Sequence, residues 1–179
     1  SIVGPPRAGK TEALRRLATE LAGQDDLQLW LVLTGVRPEE VPEWAKVVEP
    51  AAAVPLGASL EARSQALEVV VEQVRRLVAR GAHAVVLIDS LDAVHPHVAA
   101  RALASARNVV DGGSLTVITT AASPRGGETT VIALDPVLTG AARFPALDLV
   151  DSWTMRPELR VGDAAAEAMF RARAEALAW

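Results

Sequence analysis

The stretch Gly4-Pro5-Pro6-Arg7-Ala8-Gly9-Lys10-Thr11 constrains the fold of this chain more than any other. It matches the pattern GxxxxGK followed by Ser or Thr at every fixed position, a pattern that needs a strand before it and a helix after it. Ser1-Ile2-Val3 reads as the end of a buried strand, and Thr11 onward reads as a helix. Gly4 and Gly9 let the backbone turn tightly around an anion. The free N–H groups of the loop and of the helix N-terminus then point at phosphate oxygens. In such a loop Lys10 reaches the outer phosphates and the Thr11 hydroxyl holds Mg2+. The competing reading is an ordinary Gly/Pro turn ahead of a helix. Four matched positions in the required context favour the phosphate loop. Lysine usage agrees: the chain carries positive charge almost entirely as Arg, and its only lysines are Lys10 and Lys46. A slim ammonium at the loop is not interchangeable with a guanidinium.

The 179 residues suit one domain with a real core. A hydrophobic fraction of 50% with 3% aromatics demands a core built mainly from Ala, Val and Leu. The net charge of −4 argues against a general nucleic-acid surface. The absence of cysteine excludes disulfides and thiolate metal sites and is compatible with a cytoplasmic protein. No apolar run is long enough to span a membrane, and no secretory signal pattern is present. The chain opens on strand residues without an initiator Met, which fits a processed form or a fragment of something longer.

Ala13, Leu14, Leu17, Ala18 and Leu21 recur at helical spacing, with Gly23 as a stop. Leu27 to Thr34 is apolar on both faces, as a central parallel strand requires. Gly35-Val36-Arg37-Pro38 reads as a turn, and Pro38 opens the next helix with Glu39 and Glu40 in its first turn. Val47 to Val54 reads as a short strand interrupted by Pro50. Ser59 to Arg80 is the clearest helix: Ser59 caps it, Gly81 ends it, and Leu67, Val70, Val71, Val74, Leu77 and Val78 form one stripe.

Ala84 to Ile88 is a buried strand that ends in Asp89-Ser90. An aspartate there is where nucleotide triphosphatases hold the water shell of Mg2+, although many parallel strands end in Asp. His95-Pro96-His97 reads as a solvated loop rather than a metal pair. Val98 to Arg107 reads as a helix, Asn108 to Gly113 as a turn, and Ser114 to Thr120 and Thr129 to Leu134 as strands. A flexible loop spans Ala122 to Glu128, a final short strand follows Phe144 to Asp148, and Ala164 to Leu177 is helical. Alternating strands and helices imply an α/β fold with a mostly parallel sheet covered on both faces. The late strands suggest an edge hairpin. Trp30 is expected in the core, and Trp44, Trp153 and Trp179 at the surface or in partner contacts.

Beyond these motifs, GPPRAGKT (4–11), VRPEEV (36–41), VVLIDS (85–90), SARNVVDGGSLTVITTA (105–121) and RFPALD (143–148) run in one order across nearly the whole chain. Together they resemble the ATPase core of the bacterial transcription termination factor Rho, a RecA-like helicase family. The resemblance implies a single RecA-like P-loop NTPase domain over 1–179 that takes ATP or ADP with Mg2+. It implies nucleotide contacts from Gly4, Arg7, Ala8, Gly9, Lys10, Thr11 and Glu12, and from Arg37. Thr11 and Asp89 would serve the metal. Phe144 matches an aromatic that stacks on the adenine; filling the core is the equal alternative for this residue.

The departures carry as much weight. Where the family has an Asp-Glu pair, this chain has Gly35-Val36, and Val36 cannot polarise water as that Glu does. The family's interface arginine falls near Val150-Asp151-Ser152, and Asp151 has the wrong sign for a transferring phosphate. The family's central RNA loops are cut down, with Arg125 the only cation between Ser123 and Gly127. The resemblance therefore implies a nucleotide-binding domain with impaired hydrolysis, weak or no grip on RNA, and a monomer rather than a hexamer. An active ATPase core of a Rho-type helicase is the second reading. A stable non-enzymatic scaffold with a relic loop is the third, which the Arg bias and short loops would suit.

Overall fold

A computed structural model describes residues 1–178; Trp179, expected at the surface or in a partner contact, lies outside the described residues. Strands and helices alternate through most of the chain. The order is β1 (Ile2–Val3), α1 (Lys10–Ala22), β2 (Gln28–Val36), α2 (Val41–Ala45), β3 (Pro50–Pro55), α3 (Leu60–Val78) and β4 (His83–Asp89). Then come α4 (Pro96–Ala104), β5 (Arg107–Asn108), β6 (Ser114–Ala121), β7 (Thr130–Leu134), α5 (Pro136–Gly140), β8 (Leu147–Thr154), α6 (Glu158–Val161) and α7 (Asp163–Leu177). The sheet runs in the order β3-β2-β4-β6-β1-β7-β8. Its pairs are parallel except β7 with β8 and the short β5 with β6.

The burial of the central strands follows from period-2 alternation between two covered faces. Val32 of β2 and Val86 and Ile88 of β4 point to one core. Leu31, Leu33, Val85 and Leu87 point to the other. The first core is closed by the α3 stripe, Leu67, Val70, Val71, Val74 and Val78, together with Val98, Ala99 and Ala102 of α4. The second is closed by Leu14 and Ala18 of α1 and by Trp44 of α2. With every one of these side chains apolar and many of them β-branched, packing rather than helix propensity carries the layers. The Ser59 side chain accepts a hydrogen bond from Ala62 N at 3.1 Å and so caps α3. Gly81 ends the segment in a left-handed backbone, φ +101°.

Several local expectations change. β2 does not stop at Thr34. A register shift between Thr34 and Val36 lets the strand continue beside β3, and Val36 O accepts from Leu56 N at 3.0 Å. β3 starts at Pro50 because residues 47 and 48 are still hydrogen-bonded to the end of α2. α4 ends at Ala104, where the Ser105 hydroxyl donates to Ala102 O at 2.6 Å. Arg107 and Asn108 then pair with β6 instead of extending the helix. His95-Pro96-His97 enters α4 directly, with Pro96 as its first helical residue. Trp44 is core, not surface: it is 1% exposed, whereas Trp153 is 37% exposed. The antiparallel β7/β8 pair is an edge, but its connection is no tight hairpin. It carries α5 and the segment through Phe144.

Candidate functional site

The phosphate loop starts where β1 stops, and its neighbours hold it by backbone contacts. Gly4 N donates to Ala121 O at 3.2 Å, which ties the loop to the end of β6. A Cβ at Gly4 would sit 2.7 Å from Leu134 O, so only glycine lets β7 approach this closely. Inside the loop Arg7 adopts φ +67° and Gly9 φ +89°. Ala8 is fully buried, and its carbonyl accepts from the Thr139 hydroxyl at 3.0 Å. α1 begins at Lys10, and Ala13 N closes the first helical bond onto Gly9 O at 2.9 Å. Arg7, Gly9, Lys10, Thr11, Glu12 and Arg15 line a depression of about 350 Å³.

Lys10 Nζ donates to Gly4 O at 2.6 Å and to Pro5 O at 2.9 Å. Burial lowers its pKa, while the carboxylates of Asp92 and Asp89 oppose that shift. Glu12 is spoken for by two cations, accepting from Arg16 Nε at 2.8 Å and from Arg15 at 3.5 Å. Those arginines extend the arrangement sideways. The Arg15 guanidinium lies 5.2 Å from the Trp44 ring centroid, and that of Arg16 lies 4.3 Å from the Phe144 centroid.

Asp89 ends β4, and its Oδ1 accepts from the Thr120 hydroxyl at 2.5 Å. β6 lies between β4 and β1, so the aspartate and the loop flank the C-terminal end of one strand. This is where a parallel α/β sheet presents ligands. Three residues on, Asp92 Oδ2 accepts from Ala122 N at 2.7 Å, and its Oδ1 pairs with Arg125. Neither contact was signalled by a motif; only the fold brings the two loops together.

Phe144 is half-buried and outside both core clusters; its ring edge faces Gly9, with Cε2 2.8 Å from where a Cβ would stand. Thr139, which sequence reasoning passed over, comes to the loop on the same connection. Arg37 leaves the end of β2 exposed to solvent, and among the described residues its guanidinium makes no hydrogen bond. Val36 is 7% exposed and packs in the α1-side core. Asp151 is exposed on the edge strand β8.

A divalent cation fits this donor set only if shared. Among the described residues no cluster of three or more His, Cys, Asp or Glu could hold a metal alone. Thr11 and Asp89 would therefore complete a shell that phosphate oxygens begin. His95 Nε2 instead lies 3.4 Å from Glu61, and its ring stacks on His97. No described helix is long and apolar enough to cross a membrane.

A mostly parallel sheet with helices on both faces, a glycine-bounded phosphate loop and a strand-end aspartate beside it define a RecA-like P-loop fold. The fold is shared with EscN, the assembled ATPase of the type III secretion system of enteropathogenic E. coli. The TM-score is 0.72 at 18% identity, over 90% of this chain and 50% of that one. In sequence the chain is similar to transcription termination factor Rho from several bacteria. The Streptosporangium roseum protein is 32% identical over 195 residues, covering 88% of this chain and 51% of that protein. The Aquifex aeolicus protein is 30% identical over 88% of this chain and 45% of its own length. For Borreliella burgdorferi the values are 29%, 90% and 39%. The chain thus resembles a shortened Rho ATPase core, spanning about half or less of the relatives it matches. No protein-family model matches it.

Proposed function

We propose that this chain is a Rho-like domain that binds ATP or ADP with Mg2+ through Gly4, Arg7, Ala8, Gly9, Lys10, Thr11 and Glu12. The observation that carries the reading is the convergence on one strand end. The loop and the Asp89 carboxylate are tied to the end of β6, the Lys10 ammonium is held on Gly4 of that loop, and the Phe144 ring flanks the loop at Gly9. Gly9 and Lys10 offer backbone N–H groups at the start of α1, which favours phosphate. Thr11 and Asp89 would hold the cation, and the bound cation would neutralise charge between the outer phosphates. Phe144 is the platform for the base.

Hydrolysis is impaired in this reading, because Val36 replaces a water-polarising carboxylate and Asp151 replaces a cation. The reading takes residues 1–179 as one nucleotide-binding domain that is cytoplasmic and monomeric. RNA binding is weak or absent, since the loop after β6 carries Arg125 as its sole cation.

The test is thermal unfolding with and without millimolar Mg-ATP, for the parent chain and for Lys10→Ala. A ligand that binds only the folded state stabilises it by about 2.7 kcal/mol at a free concentration about a hundredfold above Kd, and so raises the midpoint. The expected result is a shift in the parent that Lys10→Ala abolishes. Equal midpoints in both would refute the site and leave a scaffold with a relic loop.

A further inference from the structure

The loop between β6 and β7 carries a cation that the nucleotide reading above does not use. Arg125 sits in an exposed stretch, residues 122–127, yet its backbone is fixed. Glu128, 8% exposed, accepts from Arg125 N at 2.7 Å and from Gly126 N at 2.8 Å. The same carboxylate accepts from the Ser1 hydroxyl at 3.2 Å. The Arg125 side chain is 30% exposed, and its guanidinium is paired with Asp92.

That pair is wired to the phosphate loop. Asp92 anchors Ala122 N, the neighbouring Ala121 O accepts from Gly4 N, and Gly4 O accepts from Lys10 Nζ. The carboxylates of Asp92 and Asp89 both favour the Lys10 ammonium, so Asp92 belongs to the same electrostatic neighbourhood. With Asp89 given to the cation, Asp92 is the carboxylate left near Lys10 that would oppose a terminal phosphate. Its own partner is the Arg125 guanidinium, and a guanidinium binds phosphate and carboxylate with the same fork geometry.

We propose that Arg125 is a specificity-determining residue that exchanges Asp92 for the terminal phosphate of a nucleoside triphosphate, so that this chain prefers a triphosphate over a diphosphate. The inference rests on the nucleotide-site reading and deepens it. The contact is made within one chain, from the neighbour of the strand that carries the loop. It requires a side-chain swing and no movement of the loop backbone. Asp92 is the competitor that holds the guanidinium when only a diphosphate is bound.

The experiment is titration calorimetry with Mg2+ and either ADP or a non-hydrolysable ATP analogue. It uses the parent chain, Arg125→Gln, Arg125→Lys, Asp92→Asn and Lys10→Ala, each checked for a native melting curve. Arg125→Gln is expected to weaken the triphosphate analogue by roughly tenfold or more and to leave ADP within about twofold. Arg125→Lys falls between, and Asp92→Asn raises the triphosphate-to-diphosphate preference by freeing the guanidinium. Equal losses for both nucleotides, or none, in Arg125→Gln would overturn the inference. An unchanged or lower preference in Asp92→Asn would remove the exchange. If the parent binds neither nucleotide, the site reading itself fails and the inference goes with it.

Discussion

Gly9 is where backbone conformation, packing and the candidate site meet, and Gly9→Ala tests all three. The residue sits at φ +89°, ψ +17°, a left-handed conformation that costs an L-residue about 1–2 kcal/mol. Its new Cβ would stand 2.8 Å from Phe144 Cε2, so the ring must swing away. That movement gives up the stacking of Arg16 on Phe144, worth about 0.5–1 kcal/mol at an exposed site. The total is roughly 2 kcal/mol, or a fall in midpoint of about 4–8 °C for a chain of this size. Calorimetric melting of Gly9→Ala, Phe144→Ala and the double variant separates the terms. In the Phe144→Ala background only the backbone cost remains, so the pair should couple by about 0.5–1 kcal/mol. A Gly9→Ala midpoint within about 1 °C of the parent would refute the strain argument. Strict additivity would refute the contact with Phe144.

Gly113→Ala should be among the worst substitutions, because its Cβ would fall 1.7 Å from the backbone oxygen of Ala82. A loss of more than about 2 kcal/mol in urea melting is expected, and a neutral variant would contradict the register of β4 against β6. Trp44→Ala should cost about 3–5 kcal/mol by the same assay, since the side chain is fully enclosed; Trp153→Ala should cost far less. Burial raises the Glu128 pKa, but hydrogen bonds from Arg125, from its own N–H, from Gly126 and from Ser1 outweigh it and hold the carboxyl below the usual 4.5. A depressed carboxylate stabilises the fold above that pH and loses its contribution as pH falls through the folded-state value. The stability gap between parent and Glu128→Gln should be full near neutral pH and close as the pH is taken down through and below 4.5, as followed by denaturant melts at stepped pH. A gap that widened on acidification would reverse the assignment.

The sheet, the helices that cover it and the phosphate loop are legible in the sequence because each has a local signal. The both-faces-apolar runs of β2 and β4 can only be central strands, and the α3 stripe, with Ser59 before it and Gly81 after it, marks its own ends. What is not legible depends on partners distant in sequence. Gly35-Val36 looks like a turn until β3 supplies Leu56 N to Val36 O and draws the strand onward. Trp44 stands among Pro, Glu and Lys, a polar setting that hides its burial against Leu14 and Ala18. Arg107 and Asn108 follow an Ala-rich helix, and only pairing with Ser114 and Leu115 makes them a strand. Phe144 could not be assigned to core or site from its neighbours, since its contact is Gly9, far back in the chain. The doubled glycine Gly112-Gly113, part of the most family-specific segment, is structural: its tight contact is with Ala82, away from the phosphate loop.

Val36 shares a buried cluster with Ala8 of the loop and Asp151 a cavity with Gly4, yet neither side chain shapes the loop. The loop is shaped by main-chain groups: Gly4 N on Ala121 O, Ala8 O under Thr139, and Leu134 O against Gly4. None of these contacts involves Val36 or Asp151. At position 36 a carboxylate facing an apolar cluster would cost desolvation free energy unless charged or polar neighbours met it. Valine, 7% exposed, removes that cost and adds to the core that α1 and α2 share. At position 151 the side chain is exposed on the edge strand and lines a cavity with Gly4 and Pro5, but it makes none of the contacts that shape the loop. The contacts that build the loop therefore do not depend on the side chains at positions 36 and 151, and valine at 36 adds core stability while the backbone keeps the shape of the loop.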